Sequence, residues 1–335
     1  MQRSLARSFA HASAAALVLL AMAGCRKEEV ALEAELVETI NLNDLYGNRT
    51  ATVHLGAGYA VQAYYSLVHD SLVGVFDKYA WDVALTHDAT PQLLLNSSIP
   101  GLRIARAPGG WEDPVDAAAL VWEYDLPSRR PEDLAIGSTW QQVLVVDRGL
   151  DAAGVSRGQV KMLLTAEGTG AGWTLRTAAL DGTGEAVFSA ELDATYGATY
   201  WSLDAGAVLA APPRDAWDLL FTSYLFRFES EADPFPYQVT GVLLNPDGRR
   251  AVRLDGVPFA DVVRTPELEA ALSDDADAIG YDWKTYDFEE GYAVTPDLSF
   301  AVECGEFGIR ALSFTGFVNS LGEPGSPAFT HRLLP

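Results

Sequence analysis

Cysteine is nearly absent. Two occur in 335 residues, Cys25 and Cys304, too few for a disulfide framework. Basic residues are scarce as well: 23 Lys and Arg stand against 46 Asp and Glu, a formal net charge of −23. A field of that sign repels nucleic acid and anionic headgroups, so both are poor partners. The acidity does not form a D-x-[DN]-x-[DN]-G calcium loop, and no metal site is expected; it is read as the solubility of an exported protein. The chemistry-bearing motifs of common enzymes are missing too. There is no G-x-S-x-G, no H-E-x-x-H, no Cys-His-Asn set and no phosphate-binding Gly-rich loop. Glu289 and Glu290 are adjacent, so on a strand they face opposite sides and cannot flank a substrate. No catalytic residue is assigned, and a non-enzymatic protein is expected.

No apolar run is long enough to span a bilayer. The longest, 12–23, follows Arg3 and Arg7 and reads as the core of a signal peptide. It ends Met22-Ala23-Gly24-Cys25, small residues before a cysteine, which resembles the lipobox of bacterial lipoproteins with Met22 in place of the usual Leu. Cys25 would then be acylated and become the new N-terminus; the alternative is a plain secretory signal with an incidental cysteine. Arg26-Lys27-Glu28-Glu29 resembles a tag that directs lipoproteins to the cell surface of some Gram-negative bacteria. Residues 1–25 are thus expected to leave or anchor, and 26–48 to form an acidic tether or short helix. Loss of Arg3 and Arg7 takes the mature charge to about −25.

What is present is β pattern. Gly numbers 29, helix-favouring runs are few, and Thr, Val, Tyr and Trp recur in short apolar strings. One stretch occurs twice. Tyr64-Tyr65-Ser66-Leu67 with Trp81-Asp82 recurs as Tyr200-Trp201-Ser202-Leu203 with Trp217-Asp218, each match offset by 136 positions. The spacing reads as an internal pseudo-repeat, 50–106 and 190–260. Each unit places a strand before a buried Trp that begins the next strand. The Trp anchors the core, and its Asp clamps backbone N–H groups in the turn between those two strands. Trp81, Asp82, Trp217 and Asp218 are therefore architectural.

Between the repeats, 107–138 is rich in Pro and Gly, either a surface insertion or a linker. A meander over 141–192 follows, with strands near 141–146, 160–165, 173–180 and 186–192. Asp247-Gly248 and Asp255-Gly256 are hairpin signals. Thr265-Pro266 starts the one clear short helix, through Leu272. Strands close the chain at 298–304 and 307–318. Cys304 sits in the first of these as a small buried hydrophobe.

Together, the run 50–67 with Trp81-Asp82, the run 217–221 with 237–245, and Asp282-Trp283-Lys284-Thr285-Tyr286 leading to 309–314 and Gly322-Glu323-Pro324-Gly325 resemble the HmuY-like haem-binding lipoproteins. The resemblance covers 49–335. It implies an all-β, antiparallel β-sandwich-like fold with one or two short helices. It further implies a protein lipid-anchored in the outer membrane at the cell surface, taking haem or a related porphyrin and passing it to an outer-membrane receptor for iron acquisition.

In such proteins two side chains ligate the iron, His in some members and Met in others. Beyond the signal this chain has His54, His69, His87, His331 and Met162. Some members carry His directly after a Trp-Asp-x-Ala-x string, and His87 lies one place beyond. His87 is thus the first candidate axial ligand, with His69, beside Asp70, as the second; a Tyr is a further possibility that the sequence does not single out. His54 alternates with apolar neighbours as a satisfied sheet residue, and His331 lies in the last strand. The alternative is a non-haem lipoprotein on the same scaffold, a structural or glycan-binding module with Trp111, Trp122 and Trp140 as sugar platforms.

Overall fold

The computed structural model describes residues 46–167, 172–228 and 235–335. The signal segment, Cys25 and the tether as far as residue 45 lie outside the described residues, as do the turn glycines Gly168 and Gly170. Residues Asn48–Pro335 form one compact unit.

Twenty strands succeed one another along the described residues. The first six are β1 (Arg49–Thr52), β2 (Val61–Ser66), β3 (Ser71–Asp77), β4 (Val83–Thr86), β5 (Leu93–Leu95) and β6 (Leu102–Arg106). The meander supplies β7 (Leu144–Arg148), β8 (Gln159–Ala166), β9 (Gly172–Ala178) and β10 (Ala186–Glu191). Next come β11 (Ala198–Ser202), β12 (Gly206–Val208), β13 (Leu219–Phe228), β14 (Phe235–Leu244) and β15 (Arg250–Asp255). After helix α1 (Pro266–Ala270) the chain ends with β16 (Lys284–Asp287), β17 (Gly291–Val294), β18 (Leu298–Glu303), β19 (Ile309–Val318) and β20 (Pro324–Leu333).

These form an all-β, wholly antiparallel arrangement. Sheet I has the order β1-β20-β19-β18-β15 and sheet II the order β14-β13-β2-β3. Sheet III is β12-β11-β4-β5, sheet IV is β10-β9-β8-β7-β6, and β16-β17 is a separate hairpin. Sheets I and II enclose one core, with Tyr65, Leu219, Phe221, Phe300, Phe314 and Phe329. Sheets III and IV enclose another, with Val83, Leu85, Leu144, Met162, Trp173 and Trp201.

The alternation of β2 and β13 explains why sheet II is apolar on both sides. Tyr65, Leu219 and Phe221 join the sheet I core, while Tyr64, Leu220 and Tyr224 belong to a second cluster on the opposite face. In sheet III, Val83, Leu85 and Trp201 point to sheet IV, and Ala84 and Ala198 point away. Tyr200 packs against the outer clusters of both sheets. Sheets II and III therefore meet through aromatic side chains, tied by Trp81 Nε1 to Gln62 Oε1 at 2.8 Å and Tyr64 Oη to the Ala210 carbonyl at 3.2 Å.

The Trp-Asp stretches act across the chain. β2 pairs with β13 and β11 with β4, and the register is the same: Leu219 opposite Tyr65 and Leu220 opposite Tyr64, Val83 opposite Trp201 and Ala84 opposite Tyr200. Trp81 meets Tyr200 edge-on at 4.9 Å, and Trp217 meets Tyr64 edge-on at 4.8 Å. The clamping expectation is corrected in one respect: each Asp closes the turn of the other stretch. Asp218 Oδ2 accepts from Leu67 N at 2.7 Å, and Asp82 Oδ2 accepts from Leu203 N at 2.9 Å. Asn96 and Asn245 secure the preceding Trp carbonyls, at 2.9 and 2.8 Å.

Both hairpin signals are also corrected. The Asp247-Gly248 turn carries the chain from β14 in sheet II to β15 in sheet I, and Asp255-Gly256 leads towards α1. Asp247 is held by Arg214, so the turn serves a sheet crossing. The helix covers about one turn, with Thr265 Oγ1 accepting from Leu268 N. The closing strand begins at Ile309, because 305–307 form a 3-10 turn. Cys304 is fully buried and desolvation drives its thiol pKa up, as a small core side chain requires.

Candidate functional site

The largest of the described cavities lies where β1 runs out beside β20. Val53 N and Leu55 N continue the ladder to Pro327 O at 3.0 Å and Gly325 O at 2.9 Å. Val53 and Leu55 are buried, so alternation turns His54 outward. There it borders a cavity of about 390 Å³, with Tyr59, Asn319, Glu323, Pro324 and Ser326 among its walls. His54 Nδ1 sits 3.0 Å from Ser326 Oγ, and Nε2 makes no hydrogen bond among the described residues. With Nδ1–H donating to the serine, Nε2 carries the lone pair, the arrangement a metal-ligating imidazole needs.

The far wall is built by turn chemistry. Asn319 Oδ1 accepts from Leu321 N and Glu323 N, both at 2.9 Å, and its amide donates to Glu323 Oε2 at 2.8 Å. Gly325 has φ +98, and a Cβ there would lie 3.0 Å from the Tyr59 ring. The glycine leaves room for that ring, which stacks on Phe317 at 6.2 Å. Burial and a hydrogen bond with Tyr292 raise the Tyr59 pKa, so its phenol stays protonated and serves as an aromatic wall.

The other histidines are placed differently. His87 follows β4 and borders a cavity of about 210 Å³ beside Tyr196 and Tyr200. Its Nδ1 is 2.9 Å from Tyr196 O and its Nε2 2.8 Å from Thr199 Oγ1, so both ring nitrogens have protein partners. His69 is exposed on the turn between β2 and β3. The two are carried by different sheets, and none of these cavities is bordered by both. His331 is fully buried, with Nε2 2.9 Å from Asp70 Oδ1, which also accepts from the Tyr65 hydroxyl at 2.6 Å. Burial lowers its pKa and the neutral ring is the stable form. Met162 is buried in the core between sheets III and IV.

Of the three Trp expected as sugar platforms, Trp111 and Trp122 lie in the stretch 107–138 and Trp140 just after it, and two of the three are closed off. Trp140 is buried in the core and donates to Pro91 O at 3.0 Å; Trp111 is 9% exposed, donates to Glu185 and has Arg176 over its ring. Trp122 lies under the Arg103 guanidinium at 4.7 Å. What the stretch does supply is Asp125, Leu134 and Arg129, which line the space between sheets II and III. Asp125 accepts from Leu95 N at 2.7 Å and Ala135 N at 2.9 Å, and burial pushes its pKa up to about 7. No group of three or more His, Cys, Asp or Glu able to hold a metal ion occurs among the described residues. Among them no helix is long and apolar enough to cross a membrane.

No family model matches the sequence, and no curated protein matches it. Solved structures do. A Bacteroides vulgatus protein assigned as HmuY-like and haem-binding aligns over 85% of this chain and 91% of its own, at 9% identity and a TM-score of 0.23. Apo PinO from Porphyromonas gingivitis aligns over 86% and 97%, at 9% identity and a TM-score of 0.29. A Bacteroides fragilis protein assigned as a lipoprotein aligns over 52% and 90%, at 15% identity and a TM-score of 0.22.

Proposed function

We propose that this chain is a non-enzymatic, lipid-anchored surface protein that binds haem or a related porphyrin and serves iron acquisition at the outer membrane. The observation that carries the reading is His54. It borders a cavity of about 390 Å³, inside the range of cofactor and ligand sites, and its Nε2 has no partner among the described residues. Haem iron takes an imidazole in such a position, with Tyr59 and Pro324 as apolar walls beside the ring. The lipobox at Cys25 and the HmuY-like motif blocks support the anchor and the ligand class. His87 serves as a ligand in this reading only if its bonds to Tyr196 and Thr199 open.

The second reading, a non-haem lipoprotein on the same scaffold, is favoured by one observation: among the described residues no second histidine borders the cavity beside His54. Titrating the mature protein with haemin and with metal-free protoporphyrin separates the two. Haemin binding that weakens in His54→Ala supports iron ligation. Equal binding of both porphyrins, unchanged in His54→Ala, places the affinity in the walls and removes the ligand role. No binding of either supports the second reading.

A further inference from the structure

We propose that the space between sheets II and III is a second binding site, for a small aromatic or short aliphatic carboxylate, with Arg129 as its counter-ion. The inference is independent of haem and concerns a different part of the fold.

Arg129 is half-buried and makes no hydrogen bond or ion pair among the described residues. Its neighbours in kind are engaged: Arg130 with Asp275, and Arg214 with Asp247. A half-buried guanidinium without a partner is well placed to take a planar carboxylate through two parallel bonds. The backbone at Arg129 has φ +62, a left-handed conformation that a non-glycine residue holds only when its surroundings impose it. Clamps on both sides do so. Asp125 is bonded to Leu95 and Ala135, Ser128 O accepts from Ala276 N at 3.0 Å, and Arg130 Nη2 reaches Asp275 Oδ2 at 2.6 Å. The strap is thus fixed to sheet III at one end and to the 275–276 segment at the other, holding Arg129 at the cavity wall.

The cavity fits a small ligand. It measures about 140 Å³; Leu94, Leu134, Tyr200, Pro212 and Trp217 form its apolar part, and Asp88, Arg214 and Asp247 also line it. A further pocket of about 30 Å³, between Tyr64, Trp81 and Tyr200, shares Arg129, Leu94 and Leu134 with it. An apolar cavity of roughly 150 Å³ accepts one benzene-sized molecule. Of the acids nearby, Asp247 is bound by Arg214 and Asp88 is exposed; Asp125 feels the Arg129 charge but makes no ion pair with it among the described residues, and burial pushes its pKa up to about 7.

The test is an NMR titration of the ¹⁵N-labelled mature protein with benzoate and, separately, its neutral counterpart benzyl alcohol, reading the Trp217 indole N–H. Benzoate is expected to shift that resonance to saturation and to bind at least about tenfold more tightly than benzyl alcohol, the share of one charge-assisted contact. Arg129→Gln, with its thermal midpoint measured alongside, is expected to reduce benzoate to the level of the alcohol. Equal affinity for the two probes in the wild type, or no Trp217 response to benzoate, overturns the proposal without any variant. A folded Arg129→Gln protein that binds benzoate like the wild type overturns it as well.

Discussion

Leu67 gives its backbone N–H to the carboxylate of Asp218 at 2.7 Å, across 151 positions of sequence. The same carboxylate receives Arg249 Nε at 2.6 Å, and Asp82 receives Leu203 N together with Arg148 and Arg157. Each corner is thus a buried acid satisfied by a distant turn and by arginine. Removing one partner strands the other charge. Asp218→Ala and Asp82→Ala are each expected to cost about 3–5 kcal/mol in urea unfolding at neutral pH. Asp204→Ala removes an exposed partner of Arg148 and should cost under about 1 kcal/mol. Losses of similar size in Asp204 and Asp82 variants would contradict the corner account.

The edge-on pairs Trp217–Tyr64 and Trp81–Tyr200 should each show a coupling of about 0.5–1.5 kcal/mol in a double-mutant cycle to leucine. Additive single effects in both cycles would mean that area alone holds sheets II and III together.

Asp125 gives stability a pH dependence with a definite sign. Its folded-state pKa is raised to about 7 from 3.8, mainly by burial. Between those values the folded state holds the proton more tightly than the unfolded chain, so this group's contribution falls as pH rises from about 4 to about 7. Asp125→Asn should lose that component: the gap in urea midpoint between variant and wild type moves in the variant's favour from pH 5 to pH 8. A gap that is constant across this range would contradict the assignment.

Gly241 in β14 lies against the backbone of Gly280, where a Cβ would come within 2.4 Å of the carbonyl oxygen. Val242 and Gly280 exchange hydrogen bonds at 2.9 and 3.2 Å. Gly241→Ala must push these segments apart, and a loss of about 1–3 kcal/mol is expected. An unchanged thermal midpoint would show that the contact yields freely.

The β class, the meander, the buried Trp and the burial of Cys304 were legible because each rests on local alternation or on residue type. The offset of 136 marked the corners. It could not say that Asp82 serves Leu203 and Asp218 serves Leu67, since a sequence period carries no information on which strands pair. Arg148, Arg157 and Arg249 were invisible for the same reason: Arg148 reaches Asp82 from β7, and Arg157 and Arg249 reach the acids from the connections before β8 and β15. Asp247-Gly248 reads as a hairpin because turn residues report a reversal, and only the apolar faces of β14 and β15 assign them to separate sheets. His54 had a visible signal, its outward place between Val53 and Leu55, but the cavity it faces is made by 319–326. Arg129 carried no signal at all, because its left-handed backbone is imposed by Asp125 and Arg130 contacts far apart in sequence.

Haemin titration of the mature protein, followed at the Soret band, decides whether the His54 cavity takes haem. A saturable shift of the band, distinct from free haemin, is expected, and it should weaken at least about tenfold in His54→Ala as one metal–imidazole bond is lost. A spectrum superimposable on free haemin at every protein concentration would contradict it.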